Sequence, residues 1–336
     1  MATPSLVRWL GHARRAPVEG RTVDAQLAAL LALDDLVRES DLAGLSPERA
    51  RARMARSVVS VGLPEPASKV DVHREEGARP GLPIDVYVPR DLAGPRPVLF
   101  YVHGGGWVTG DLATHGPFCA WVAARARCCV VNVTYRRAPE ARFPSAVDDV
   151  RAQFARLPAL AEKFSLDLSR LALSGDSAGG NLCAVLARHT RDEAVRPCAQ
   201  LLIYPATDMT SSMPSHTTYA EGWMLTRPNI DWYRAQYLRG PDDLRDPDAS
   251  PLFAEDLARV APAIVYTAGF DPLIDEGRAY AERLRAAGVV ARHHCFADMV
   301  HGFTLMGGVI DRARAHVDLI ADDLSRALEE PASIGA

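Results

Sequence analysis

The chain has 336 residues, 48% hydrophobic and 24% charged, with a formal net charge of −4. That balance is ordinary for a globular protein of one large or two smaller domains, and a faintly acidic chain lacks both the basic footprint of a nucleic-acid binder and a polybasic membrane patch. Its apolar runs fall short of the ~20 residues of a membrane helix, and Arg8, His12, Arg14 and Arg15 interrupt any signal-peptide core, so the expectation is a cytoplasmic protein with no membrane or nucleic-acid partner.

Residues 1–56 read as helical, a first cap-like segment with Leu27, Leu30, Leu31 and Leu36 on one broad face. Arg49 to Arg56 reads as a solvated helix face. Gly62-Leu63-Pro64-Glu65-Pro66 is hinge-like and marks a boundary. Alternating strands at 69–75 and 83–88 read as a hairpin on a sheet edge. Six further strands follow, near 97–102, 129–134, 171–174, 199–203, 263–268 and 291–296, with helices between them. The whole predicts an eight-stranded, mostly parallel sheet with helices on both faces. One connection is unusually long, and within it 207–250 carries Trp223, Met224, Leu225, Trp232, Tyr233 and Tyr237. Such an insertion reads as a lid or binding segment. It divides the body into 57–206 and 251–330. The six cysteines show no metal spacing and read as core thiols of a reducing compartment, so neither a metal nor a disulfide is expected.

The chemistry-bearing residues stand where these strands end. Leu171-Ala172-Leu173 leads into Gly175-Asp176-Ser177-Ala178-Gly179, and a helical pattern leads out. A G-x-S-x-G between strand and helix projects its serine from a strained turn beside a helix N-terminus. Ser177 is therefore the candidate nucleophile. The strand at 97–102 leads into His103-Gly104-Gly105-Gly106-Trp107. Consecutive glycines let backbone N–H groups converge, so Gly104, Gly105 and Ala178 are the candidate oxyanion donors. His103 reads as a hydrogen-bonder that shapes this turn. Asp271, just past the strand at 263–268, reads either as a helix N-cap or as the acid partner of a histidine. His301 lies in a loop after the last strand. The order Ser177, Asp271, His301, each after a strand, is the α/β-hydrolase order of the acyl-transfer triad.

The chain resembles the bacterial hormone-sensitive-lipase-like esterases, an α/β-hydrolase branch. The resemblance rests on the two glycine motifs and on Tyr135-Arg136-Arg137-Ala138-Pro139-Glu140, Phe143-Pro144-Ser145-Ala146-Val147-Asp148-Asp149, Asp271-Pro272-Leu273-Ile274-Asp275-Glu276-Gly277 and His301-Gly302-Phe303. It implies a serine carboxylesterase acting on short-to-medium acyl esters, without cofactor or metal, as a monomer or homodimer. It makes 1–56 and 207–250 the cap, with Trp107, Trp223, Met224 and Leu225 as candidates for substrate contact. Trp223 reads equally as an anchor of the cap on the body. Asp275 and Glu276 would brace the Asp271 loop, or serve as acids at a helix N-terminus. Asp176 would fix loops around the site. An amidase, a lactone hydrolase or a deacetylase would use the same triad. A non-catalytic binding protein, as among the plant gibberellin receptors, would lack the histidine that stands here as His301.

Overall fold

Alternation along the central strands decides the architecture of the computed structural model, which describes residues 18–37, 41–42, 44–64, 69–330 and 334. In β3 (Arg96–Val102), Val98, Phe100 and Val102 point into one core while Leu99 and Tyr101 point into another. The same split recurs in β4 (Cys129–Val133), β5 (Leu166–Asp176), β6 (Ala199–Ile203) and β7 (Ala263–Phe270). Successive side chains face opposite sides of a strand, so a continuous apolar run requires cover on both sides. One face is covered by α1 (Ala25–Val37), α3 (Leu112–Ala126) and α10 (Asp311–Glu329). The other is covered by α4 (Ser145–Phe154), α5 (Leu157–Phe164), α6 (Ala178–His189) and α9 (Ile274–Ala286). This is an α/β-hydrolase fold.

The sheet has eight strands in the order β1-β2-β4-β3-β5-β6-β7-β8, where β1 is Val70–Glu75, β2 is Ile84–Pro89 and β8 is Ala291–Val300. The pairs β1–β2 and β2–β4 are antiparallel and all others are parallel. After β3 the chain winds outward to β4, then returns to the other side of β3 as β5. That reversal leaves a crevice beyond the carboxyl ends of β3 and β5, the place where open sheets bind ligands. The turns that start at His103 and Ser177 leave from there, since Val102 is paired with Gly175.

Above these ends lie α2 (Pro47–Val61), α7 (Ser215–Thr218) and α8 (Arg227–Tyr237). Among the described residues no helix is long and apolar enough to cross a membrane. Residues 1–17, Glu65 and Pro66 of the hinge-like stretch lie outside the described residues.

Several expectations need correction. Leu36 is 72% exposed, whereas Leu27 and Leu31 are buried. At ~100° per residue, nine positions bring the helix half a turn out of phase, so Leu27 and Leu36 cannot share a face. Arg51 is not on a solvated face: its guanidinium donates to Val108 O (2.8 Å), Ala138 O (2.9 Å) and both oxygens of Glu140. β5 starts at Leu166, five residues before the apolar run, because its register with β3 shifts between Arg96 and Val98 and admits the polar stretch from Asp167 to Arg170.

Candidate active site

Ser177 connects β5 to α6 with φ 55° and ψ −118°, a conformation that L-residues rarely adopt. The surroundings hold it there. Its N–H donates to Ile203 O at 2.8 Å. A Cβ on Gly179 would lie 2.0 Å from Val102 O, and one on Gly175 would lie 2.5 Å from the Gly179 backbone. Both positions must be glycine for the first turn of α6 to lie against the end of β3.

Asp271 emerges from β7 fully buried. Its Oδ1 accepts the Leu273 N–H at 2.8 Å, and its Oδ2 lies 2.8 Å from His301 Nδ1. His301 follows β8, and its Nε2 lies 2.9 Å from Ser177 Oγ. A carboxylate only accepts, so these partners assign the proton to Nδ1 and leave the Nε2 lone pair facing the serine hydroxyl. The structure thus brings together three residues that are 94 and 30 positions apart in the chain.

The Asp271 loop is braced by the start of the insertion. Glu276 is buried, and its Oε1 accepts the N–H groups of Thr207 (2.6 Å) and Asp208 (3.1 Å). Its Oε2 meets His216 Nε2 at 2.8 Å. Burial pushes the Glu276 carboxyl up, against the opposing pull of His216. Asp275 Oδ2 accepts the Ser215 N–H at 3.0 Å, and the Ser215 hydroxyl donates to Pro272 O at 2.6 Å.

The glycine turn departs from expectation at Gly104. Its N–H already donates to Asp176 Oδ1 at 2.8 Å, so it is not free to receive an oxyanion. Asp176 also accepts the Tyr101 hydroxyl (2.7 Å) and faces His115 Nε2 (3.3 Å). Burial raises its pKa, but His115, Tyr101 and Gly104 prevail and hold it at about 2. Gly105 and Gly106 instead line the pocket beside Ser177. The next two peptides of the turn are trans, so each N–H points away from the carbonyl that shares its plane. His103 Nδ1 donates to Gly104 O at 2.9 Å, which directs the Gly105 N–H to the other side. Burial, and then His115, lowers the His103 pKa to about 3, so the ring is neutral and unsuited to act as a base near neutrality. Gly105 O accepts from Val108 N (3.1 Å), Thr109 N (2.8 Å) and Thr109 Oγ1 (2.9 Å), which directs the Gly106 N–H likewise. The third glycine was the signal for this donor, but which two of three stay free depends on Asp176, a partner 72 residues from Gly104. Ala178 opens α6, so its N–H is among those without an intrahelical partner.

The pocket is a cavity of about 270 Å³, walled by α2 and α8 and floored by Ser177 and His301, with Asp271 buried behind them. Trp107, Met224 and Leu225 line it, as do Tyr233 of the insertion and Met54 and Val58, which the sequence did not single out. Trp107 is largely buried, stacked on Tyr237 of α8 at 4.4 Å and 4°. Trp223 is not brought to the pocket. It is stacked on Phe270 at 4.5 Å and packs edge-on against Tyr219. Met224, at φ 66°, turns the chain between them, so neighbours in sequence part company.

Chemically, the arrangement offers an oriented hydroxyl, an imidazole held between that hydroxyl and a buried carboxylate, and backbone donors at an apolar cavity. Comparison with known proteins agrees. The profile of a family described as the α/β-hydrolase fold matches residues 99–305. The chain is 37% identical over 333 residues to the carboxylic ester hydrolase LipN of Mycobacterium tuberculosis, covering 93% of this chain and 88% of that one. It is 37% identical over 251 residues to an ethyl acetate hydrolase of Pseudomonas putida, covering 74% and 79%. An α/β-hydrolase enzyme from the metagenome of Lake Arreo superimposes with a TM-score of 0.84 at 35% identity, covering 89% of this chain and 96% of that one.

Proposed function

The chain belongs to the α/β-hydrolase family, in its hormone-sensitive-lipase-like esterase branch, and on that premise we propose that it is a serine carboxylesterase for short-to-medium acyl esters, with Ser177, His301 and Asp271 as its triad. The observation that carries this reading is the relay from Ser177 Oγ to His301 Nε2 (2.9 Å) and from His301 Nδ1 to Asp271 Oδ2 (2.8 Å), opening on an apolar cavity.

Ser177 Oγ attacks the acyl carbonyl while His301 takes its proton. Asp271 keeps the imidazole in the required tautomer and stabilises the imidazolium. Negative charge builds on the carbonyl oxygen beside the Gly105, Gly106 and Ala178 N–H groups; one such donor is commonly worth about 10²–10³ in kcat. His301 returns the proton to the departing alcohol. Water then attacks the acyl-enzyme by the same route, releasing the acid and restoring Ser177. The relatives' names, an ethyl acetate hydrolase among them, support small esters, and Met224, Leu225 and Trp107 bound the space for the substrate's apolar part.

The test is turnover of p-nitrophenyl esters, with labelling by an organophosphonate. Ser177→Ala is expected to lose turnover by about 10⁴-fold or more while keeping its fold, and Ser177 alone is expected to be labelled. Normal turnover in a folded Ser177→Ala variant overturns the assignment.

A further inference from the structure

Helix α8 touches the glycine turn at two successive residues. Tyr233 and Tyr237, four apart and so on one face of the helix, reach Gly106 and Trp107 respectively. The Tyr233 ring lies so close that a Cβ on Gly106 would be 2.2 Å from its Cδ1. Its hydroxyl stands 3.2 Å from Thr109 Oγ1. Thr109 has a single hydroxyl proton, and that proton goes to Gly105 O at 2.9 Å. Tyr233 must therefore be the donor, in a directed chain from Tyr233 O–H to Thr109 O–H to Gly105 C=O.

That carbonyl shares its plane with the Gly106 N–H. Whatever fixes the oxygen fixes the direction of the N–H opposite, and each added donor polarises the amide so that its N–H donates more strongly. We propose that Tyr233 is a positioning residue for the oxyanion hole, acting from the cap through Thr109 and Gly105 O to orient and strengthen the Gly106 N–H. The cap then contributes to the chemical step as well as to the shape of the pocket. The inference rests on the esterase reading above.

The experiment uses the full chain with p-nitrophenyl butyrate and compares Tyr233→Phe, Thr109→Val and the double variant. Tyr233→Phe keeps the ring on Gly106 and removes only the hydroxyl. Removing an oxyanion donor outright costs about 10²–10³ in kcat, so weakening one from two bonds away is expected to lower kcat by about 3- to 10-fold at unchanged KM. Thr109→Val is expected to lower kcat at least as much. The double variant is expected to equal Thr109→Val, because the tyrosine acts only through the threonine. Thr109→Ser, which restores the hydroxyl, is expected to recover kcat. Inhibition by a trifluoromethyl ketone, whose adduct places an oxyanion in the hole, is expected to weaken in step with kcat, whereas binding of butyrate stays level.

Unchanged kcat in Tyr233→Phe overturns the proposal. So does a raised KM at constant kcat, which would make Tyr233 a substrate contact, and so do effects of the two single variants that multiply in the double. Loss of activity matched by a fall in Tm that Thr109→Ser also shows would make the role structural and overturn it too. Absence of ester turnover in the unaltered protein removes the esterase reading itself, and the proposal with it.

Discussion

The floor and the wall of the pocket are built by different means. The floor stands on strand ends, and backbone meets backbone: Gly179 against Val102 O, Gly175 against Gly179, Ser177 N–H on Ile203 O. The wall, α2 and α8, has backbone bonds to the body at its helix ends (Gly308 N–H to Val61 O, Phe143 N–H to Tyr237 O), but along its length it meets the glycine turn and its neighbours through long side chains such as Arg51, Tyr233 and Tyr237. Backbone contacts leave no room for a changed atom, whereas side-chain contacts tolerate substitution at a cost in shape. The floor is therefore where chemistry is fixed, and the wall is where selectivity can vary.

The comparison is broken most severely at the floor. Asp271→Asn keeps the size of the side chain but favours the wrong histidine tautomer, and kcat is expected to fall by about 10³–10⁴-fold with the fold intact. A loss of less than tenfold in pre-steady-state acylation would show that Asp271 does not hold His301. At the seam between floor and wall, Trp223→Ala empties a buried aromatic site against Phe270. Truncations of this kind cost about 3–5 kcal/mol, so a markedly lower urea midpoint is expected. The acyl-length profile should stay the same, because Trp223 does not line the cavity. A shifted profile in a stable variant would put it back in the pocket.

Asp176 sharpens the comparison through pH. Its pKa of about 2 in the folded protein lies below the ~3.9 of an unfolded aspartate. A depressed pKa contributes stability above the unfolded value and loses it as pH falls through the folded one. The contribution, roughly 2.5 kcal/mol, is present above about pH 4 and lost towards pH 2. Asp176→Asn should be less stable than the unaltered protein at pH 6, with the gap closing as pH falls towards 2. A gap independent of pH in urea titrations would count against a charged Asp176 under the glycine turn.

The smallest effect belongs to the loop that leads into the wall at α8. Met224→Ala enlarges the cavity with little disturbance to the floor. Each further methylene buried in the substrate is worth about 0.8 kcal/mol at best, so kcat/KM is expected to shift towards octanoate and decanoate esters by up to several-fold per carbon. An unchanged ratio of butyrate to decanoate would show that the substrate's apolar part lies elsewhere.

Much of this was legible in the residues themselves. The central strands and their mostly parallel sheet followed from apolar runs, since a strand buried on both faces has to be apolar throughout, whereas the order in which the strands pair did not. Ser177 announced itself because a strained turn between strand and helix needs glycines at fixed spacing, and glycine spacing is a local property. His301 and Asp271 stood where strands end, although nothing local distinguished them from a solvated histidine and an N-cap. What tertiary structure alone decided were the partners of groups that many positions could have served. Gly104 lost its N–H to Asp176, so the free donors moved one residue along to Gly105 and Gly106. Arg51 left solvent because Val108 O, Ala138 O and Glu140 came within its reach. Trp223 turned to Phe270 while Met224 and Leu225 turned to the cavity. In each case the residue type sets what a group can bond or bury, and the sequence by itself determined that much. Which candidate it meets depends on distances across strands and caps that the order of residues does not contain.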